Sequence, residues 1–93
     1  MSANRGRPMI PLHELLSRIR WDPVFGGADF EIGYYDRTDQ RIVVIPLREV
    51  HFDPSDRFFF RVADGNGEIH AIPFHRVREV YRNGRLIWSR IAR

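Results

Sequence analysis

The chain contains neither cysteine nor lysine. Without cysteine it has no disulfide scaffold, no thiolate zinc site and no cysteine nucleophile. It also has no apolar run of about 18 residues, and its first eight residues lack the apolar stretch of a secretory signal. We therefore expect a cytoplasmic protein with no membrane partner. At 93 residues the chain has room for one small core, so any binding site should be open to solvent.

All 15 basic residues are arginine, against 12 acidic residues, which gives a formal net charge of +3. The planar guanidinium fork binds phosphate oxygens at two points and stacks on aromatic rings. This bias is typical of a nucleic-acid partner, but codon usage that favours arginine would give the same composition. The charge alone does not decide between the two explanations.

The order of the chain predicts one domain of the α+β class. Residues 1–9 are polar and cationic without apolar periodicity, which indicates a disordered leader, and residues 10–93 form the domain. One helix is expected, because the residues Leu12, Leu15, Leu16 and Ile19 recur on one helical face. Pro23 ends this helix and leaves Trp21 at its exit.

The rest of the sequence predicts five to six short strands in one curved, mainly antiparallel sheet with the helix packed on a face. Asn83-Gly84 indicates a two-residue hairpin between the last two strands. The apolar runs 42–45 and 58–60 predict central strands. One helix cannot cover both faces of such a sheet, so the second face curls on itself, binds a ligand through its aromatic residues or pairs with another copy as a homodimer. The expected strands are Phe30 to Tyr35, Arg41 to Pro46, Arg57 to Val62, Glu68 to Phe74, Val77 to Arg82 and Arg85 to Ile91.

Four short clusters at element boundaries combine aromatic and polar residues, and such boundaries tend to carry binding residues. Arginine and histidine side chains there suit phosphate oxygens, and aromatic rings suit the stacking of a base. An aspartate can orient an arginine fork or accept a hydrogen bond from a ribose hydroxyl. Each residue also has a structural interpretation, as a core aromatic or a turn aspartate. The candidates are Arg37, His75, Arg76 and Arg90 for phosphate, Trp21 and Tyr35 for stacking, and Asp22 and Asp36 for ribose.

Catalysis and metal binding have less support, and we expect no cofactor. His51 and Asp53 share a strand face, but two ligands without a third do not make a metal site. If the protein is an enzyme, it is a small phosphodiesterase or ribonuclease with His75 as the acid or base. The other histidines that could join it are His13, His51 and His70. A protein-interaction domain is a further alternative.

Four spaced motifs resemble one family over about residues 10 to 90. They are Leu16-x-x-Ile19-x-Trp21-Asp22, Gly33-Tyr34-Tyr35-Asp36-Arg37, Ile72-Pro73-Phe74-His75-Arg76-Val77 and Gly84-x-x-x-Trp88-Ser89-Arg90. The family was once catalogued as domain of unknown function 504 and is described as an RNA cyclic-group-end recognition domain. The resemblance implies binding of RNA 3′ ends that carry a 2′,3′-cyclic phosphate, in RNA repair or processing.

Carried over to this sequence, the resemblance places aromatic companions at Trp21, Tyr35 and Trp88 and six polar motif positions at Asp22, Asp36, Arg37, His75, Arg76 and Arg90. Ser89 departs from the pattern, because many members have an acidic residue between the tryptophan and the arginine. The family's association with ligase and phosphoesterase domains implies that such an enzyme would act here as a separate chain.

Overall fold

The computed structural model describes residues 11–90. The predicted leader and Ile91 lie outside this range. One α-helix and six strands alternate with three short 3-10 helices, at residues Phe25–Gly27, Leu47–Glu49 and Phe74–Arg76. The main elements are α1 (Leu12–Trp21), β1 (Phe30–Asp36), β2 (Arg41–Pro46), β3 (Phe59–Ala63), β4 (Ile69–Pro73), β5 (Val77–Arg82) and β6 (Arg85–Ser89). The predicted α+β class, the single α-helix and the antiparallel strands are confirmed.

Helix α1 forms where the apolar spacing predicts it. Its first turn is closed by the Pro11 carbonyl, which accepts hydrogen bonds from the backbone N–H groups of Glu14 and Leu15 at 3.0 and 3.1 Å. Leu12 and Leu15 are buried, and the helix ends at Trp21, before Pro23. The apolar face is therefore turned to the core, and the polar face carries the arginines to the surface. No helix within residues 11–90 is long and apolar enough to cross a bilayer.

The six strands are divided between two sheets, where the sequence predicts a single one. A four-stranded sheet has the order β2-β1-β5-β6, and β3 pairs with β4 in a separate two-stranded sheet. The prediction that the runs 42–45 and 58–60 form central strands is wrong, because β2 lies at an edge of its sheet and β3 has one partner strand, β4, besides a single β-bridge between Arg61 and His51. The apolar side chains of these runs are shared among the core, the sheet edge and the surface, so a continuous apolar run does not require a central position.

In strand β5 the alternation of buried and exposed side chains is interrupted by a β-bulge. Tyr34 faces Val77 and Gly33 faces Glu79, so Arg78 is an extra residue in the β1–β5 ladder. A bulge shifts the side chains that follow by one position. Val77 and Val80 are three residues apart, which would place them on opposite faces of a regular strand, yet both are fully buried. The bulge lets both valines enter one core and turns Arg78 outward.

Gly26 lies where the first 3-10 helix meets the end of α1. A Cβ atom at this position would be 2.0 Å from the Ile19 carbonyl oxygen, whereas a Cβ at Gly27 would meet no atom within 4 Å. We expect Gly26→Ala to lower the free energy of unfolding by about 1–3 kcal/mol, because the backbone must move to relieve the overlap. Gly27→Ala should leave it unchanged or raise it by up to about 1 kcal/mol. Urea denaturation of both variants measures the difference, and equal stabilities would contradict this account.

The β3–β4 turn contains a pH-dependent pair. The His70 ring and the Asp64 carboxylate lie 2.7 Å apart, and this hydrogen bond raises the pKa of His70 and lowers the pKa of Asp64. The histidine contribution to stability is fully present below the usual histidine pKa and is lost as the pH rises through the raised value. The aspartate contribution is present above the usual aspartate pKa and is lost as the pH falls through the lowered one. The pair therefore stabilises the turn most between the usual pKa values of the two groups.

An NMR titration tests this pair with the variant Asp64→Asn. An amide oxygen can still accept the turn hydrogen bonds from the Asn66 and Glu68 backbone, which are 2.8 and 2.9 Å long. The variant removes the charge, so we expect the pKa of His70 to fall toward its usual value. A His70 pKa that is the same in both proteins would show that Asp64 does not set it.

Candidate functional site

Three of the four sequence clusters meet at one end of the four-stranded sheet. Strand β1 ends with Asp36, which faces Arg41 at the start of β2. Strand β5 begins beside Tyr34, and Ser89 at the end of β6 faces Glu79 of β5. The turn that holds Arg37, the short helix that holds His75 and the end of β6 therefore lie at the same sheet end. The fourth cluster, Trp21-Asp22, lies at the far end of α1.

An open groove of about 1070 Å³, which we call the first groove, lies between the start of α1 and this end of the sheet. Its polar side chains include those of His75 and Arg90, and its walls are mainly aromatic. Phe58 is 74% exposed and Phe59 39%, whereas Trp88 is buried in the core. The groove thus offers cationic and aromatic groups together. It is lined by Pro11, Leu12, His13, Arg57, Phe58, Phe59, Pro73, Phe74, His75, Trp88 and Arg90.

Two guanidinium groups converge on a single backbone carbonyl at the edge of the first groove. The Nη1 atoms of Arg78 and Arg90 both donate to the carbonyl oxygen of His75, at 2.9 and 2.6 Å. The backbone N–H of Arg90 also donates to the Arg78 carbonyl, at 2.8 Å. The 3-10 turn at Phe74–Arg76 and the following bulge make this possible, because they free the His75 carbonyl from the ladder and aim Arg78 at it. We call Arg78 and Arg90 the arginine pair, and the oxygen that both contact is the His75 carbonyl.

The arginine pair lacks a negative partner among residues 11–90. The ion pairs in this part of the chain use Arg18, Arg41, Arg61 and His70. Burial lowers the pKa of Arg90, and the positive charge of Arg78 lowers it further. Two neighbouring like charges without a carboxylate raise the energy of the site, and a bound anion relieves that repulsion. The arrangement is therefore suited to an anion such as phosphate.

Arg78 connects this pair to Tyr35. Its guanidinium carbon lies 5.8 Å from the centre of the Tyr35 ring, within the range of a cation–π contact. The two side chains line a shallow hollow together with Gln40, Arg41 and Ile42. Arg78 thus brings three predicted residues, Tyr35, His75 and Arg90, into one cluster. Arg78 is not among the residues that the sequence predicts, because an arginine inside a strand gives no sign that a bulge redirects its side chain.

The other predicted residues lie outside the first groove. Arg37 is exposed in the β1–β2 turn, and Arg76 is half-buried, with no hydrogen bond or ion pair from its side chain to residues 11–90. Asp36 accepts hydrogen bonds from the backbone N–H groups of Thr38 and Asp39, at 2.8 and 3.3 Å. Asp22 likewise accepts from the backbone of residues 24 and 25, at 3.1 Å each. Both aspartates hold turns, which leaves their predicted contacts to ribose as predictions.

A second groove of about 570 Å³ contains Trp21, which is 73% exposed. The guanidinium carbon of Arg20 lies 5.4 Å from the centre of the Trp21 ring. The second groove shares His13, Arg57 and Phe74 with the first. The lining residues are His13, Leu16, Ser17, Ile19, Arg20, Trp21, Leu47, Phe52, Asp53, Pro54, Asp56, Arg57 and Phe74.

The histidines considered for catalysis are distributed unevenly. His13 and His75 both line the first groove, whereas the backbone of His51 forms a β-bridge with Arg61. Within residues 11–90, Asp64, Glu68 and His70 bring three potential metal ligands within 4.8 Å of one another. His51 and Asp53 do not belong to such a group. The exposed carboxylates and the hydrogen-bonded His70 are explained by the turn they stabilise.

Comparison with known proteins identifies the family. Residues 9–90 match the family model described as the MJ1316 RNA cyclic group end recognition domain. A UPF0248 protein of Methanococcus maripaludis strain C6 is 31% identical over 84 residues, which cover 85% of this chain and 97% of that protein. A UPF0248 protein of strain C5 is 32% identical with the same coverage. No solved structure matches the chain significantly. The chain belongs to the family of RNA cyclic group end recognition domains.

Proposed function

We propose that this protein binds RNA 3′ ends that carry a 2′,3′-cyclic phosphate and acts in RNA repair or processing. The observation that carries the proposal is the arginine pair on the His75 carbonyl, which lacks a carboxylate partner in the described chain. The description of the family names recognition of RNA cyclic group ends, which supports the proposal. Phosphate contacts supply affinity, while shape and stacking supply selectivity for a particular end.

The chemistry of a cyclic phosphate fits a site of this kind. The group carries one negative charge and has no free 2′-hydroxyl, so it needs few cations and no acceptor for a ribose hydroxyl. Arg78 and Arg90 supply the positive charge, and the exposed rings of Phe58 and Phe59 can stack the terminal base. The proposal also includes flanking contacts to the RNA at the same sheet end, from Arg37, Arg76 and Tyr35. An RNA ligase or phosphoesterase on a separate chain would supply the enzymatic step.

Binding of one short fluorescent RNA tests the proposal. The RNA carries a 2′,3′-cyclic phosphate, a 3′-phosphate or a 3′-hydroxyl, and each form is measured at two salt concentrations. General charge attraction weakens steeply with salt and does not distinguish the three ends. We expect a preference for the cyclic end that persists at the higher salt. Equal affinities for the three RNA ends that are lost together at the higher salt concentration would reject end recognition.

One observation favours a second candidate function, hydrolysis of the cyclic phosphate. His13 and His75 line the same groove as Arg90, and two imidazoles can act as base and acid. One takes a proton from the attacking water as its oxygen bonds to phosphorus. The other protonates the ribose oxygen whose bond to phosphorus breaks, which leaves a phosphomonoester and a hydroxyl group. The test is turnover of a cyclic-phosphate RNA by the parent protein and by His13→Ala and His75→Ala. Turnover by the parent that both substitutions abolish would establish this activity. A parent protein that turns over the RNA no faster than the two variants would reject it.

A homodimer is one of the alternatives that the sequence leaves open for the aromatic residues. Trp21, Phe52, Phe58 and Phe59 are exposed, but they line the two grooves. We therefore assign these rings to RNA. Sedimentation of the protein with and without RNA tests the alternative, since a dimer that RNA dissociates would show that the same rings serve both.

A further inference from the structure

We infer that the second groove binds the base of a nucleotide upstream of the RNA end, stacked on Trp21. This inference rests on the proposed function. The protein would then recognise a short single-stranded RNA and not only its terminal nucleotide.

The two grooves form one continuous surface. His13, Arg57 and Phe74 belong to both, and the ring centres of His13 and Phe74 are 4.5 Å apart. From His13 to Trp21 the helix rises about 12 Å. This distance exceeds the length of one nucleotide, so a strand whose last phosphate lies at the arginine pair needs an upstream nucleotide to reach Trp21.

The exposed rings of the second groove suit a base. Trp21 is 73% exposed although it is the largest side chain on α1, and Phe52 is 37% exposed. Single-stranded RNA is commonly bound by stacking unpaired bases on exposed aromatic rings and arginine planes. Arg20 lies over one face of the Trp21 ring, and Phe52 stacks on Phe74 with an interplanar angle of 11°. Rings already arranged in stacks provide a platform that a further ring can extend.

The charges of the second groove favour a base over a phosphate. Its lining holds two arginines, Arg20 and Arg57, and two aspartates, Asp53 and Asp56. Asp53 accepts hydrogen bonds from the backbone and hydroxyl of Ser55, at 2.9 and 2.8 Å. Asp56 accepts from the Phe58 and Phe59 backbone, at 3.0 Å each, and pairs with Arg61 at 3.7 Å. The lining of the groove has as many carboxylates as guanidinium groups, whereas the arginine pair makes no ion pair within residues 11–90. The phosphate and the upstream base therefore belong at different ends of the surface.

The experiment compares two ligands with the same end. One is uridine 2′,3′-cyclic phosphate, and the other is a tetranucleotide that ends in the same group. Both are titrated against the full chain, Trp21→Ala and the control Leu86→Ala, which removes a half-exposed apolar side chain from β6. We expect the tetranucleotide to bind more tightly than the mononucleotide. Trp21→Ala should weaken the tetranucleotide by about 5- to 150-fold, leave the mononucleotide unchanged and keep the circular dichroism spectrum of the parent.

The outcomes separate the inference from the function on which it rests. If both ligands bind and Trp21→Ala changes neither affinity, the upstream site is rejected and end recognition stands. An equal loss for both ligands would place Trp21 at the terminal nucleotide and also reject the upstream site. If neither ligand binds the parent protein, end recognition itself fails.

Discussion

Replacing Arg78 or Arg90 by alanine should weaken binding of a cyclic-phosphate RNA by about 10- to 150-fold, which corresponds to about 1.5–3 kcal/mol for a hydrogen bond to a charged group. Both guanidinium groups are held at the His75 carbonyl. The carbonyl fixes their direction before the ligand arrives, so little side-chain entropy is lost on binding. Fluorescence anisotropy with a labelled RNA measures the change.

The double variant is informative because the two arginines repel one another. Neighbouring substitutions are not additive. Loss of either arginine removes one phosphate contact and also relieves the repulsion that lowers the pKa of Arg90. We therefore expect the double variant to lose less than the sum of the two single losses. If the two losses simply add, the arginines act as independent sites.

Arg85→Ala is the matched control. Arg85 lies on β6 like Trp88 and Ser89 and is exposed, and its side chain makes no ion pair or hydrogen bond with residues 11–90. Its loss removes the same net charge without altering the arginine pair. Each phosphate contact with a single strand contributes about 0.7 to the slope of log affinity against log salt. Arg78→Ala and Arg90→Ala should each reduce that slope by about 0.7, and Arg85→Ala should leave it nearly unchanged. Equal effects of all three variants would mean that the protein senses only its overall charge.

The local pattern of the sequence was sufficient to predict most elements of the fold. Helix α1 follows from a 3.6-residue apolar period. The β5–β6 hairpin follows from Asn83-Gly84, whose φ angles of 52° and 81° are those that this turn requires. The division into two sheets could not be predicted, since an apolar run has the same appearance whether its strand is central or at an edge. Only the positions of the neighbouring strands determine which faces of β2 and β3 are covered.

Only part of the candidate site follows from the sequence, for a related reason. The sequence points to His75 and Arg90 because each lies beside aromatic residues at an element boundary, and both line the first groove. Arg78 was missed because its direction depends on a bulge, which is a property of the ladder between β1 and β5. The turn roles of Asp22 and Asp36 agree with the known preference of aspartate for turns, which the sequence favours for each residue taken singly, and the ribose contact stays a prediction.

The arginine pair depends on the core beneath it, and Phe60→Ala should show this dependence most strongly. Phe60 is fully buried, and its ring centre lies 5.2 Å from that of Phe74 and 6.0 Å from that of Tyr34. It therefore joins the two-stranded sheet to the larger one. Truncation of a buried phenylalanine lowers the free energy of unfolding by about 3–5 kcal/mol. A domain of this size has a total stability of about 5–14 kcal/mol, so the variant should lose a large part of it.

Phe58→Ala provides the comparison, because it removes the same ring two residues earlier. Phe58 is 74% exposed, so its loss should change the free energy of unfolding by less than about 0.5 kcal/mol. If Phe58 stacks the terminal base, the variant should instead weaken RNA binding while its denaturation curve overlays that of the parent. Phe60→Ala should lower the free energy of unfolding. Measured under conditions where this variant is still folded, its RNA affinity should fall only to the extent that Phe74 moves and shifts the neighbouring His75 carbonyl. Equal stabilities of the two variants would show that Phe60 does not join the sheets, and the position of the arginine pair would then depend on β1, β5 and β6 alone.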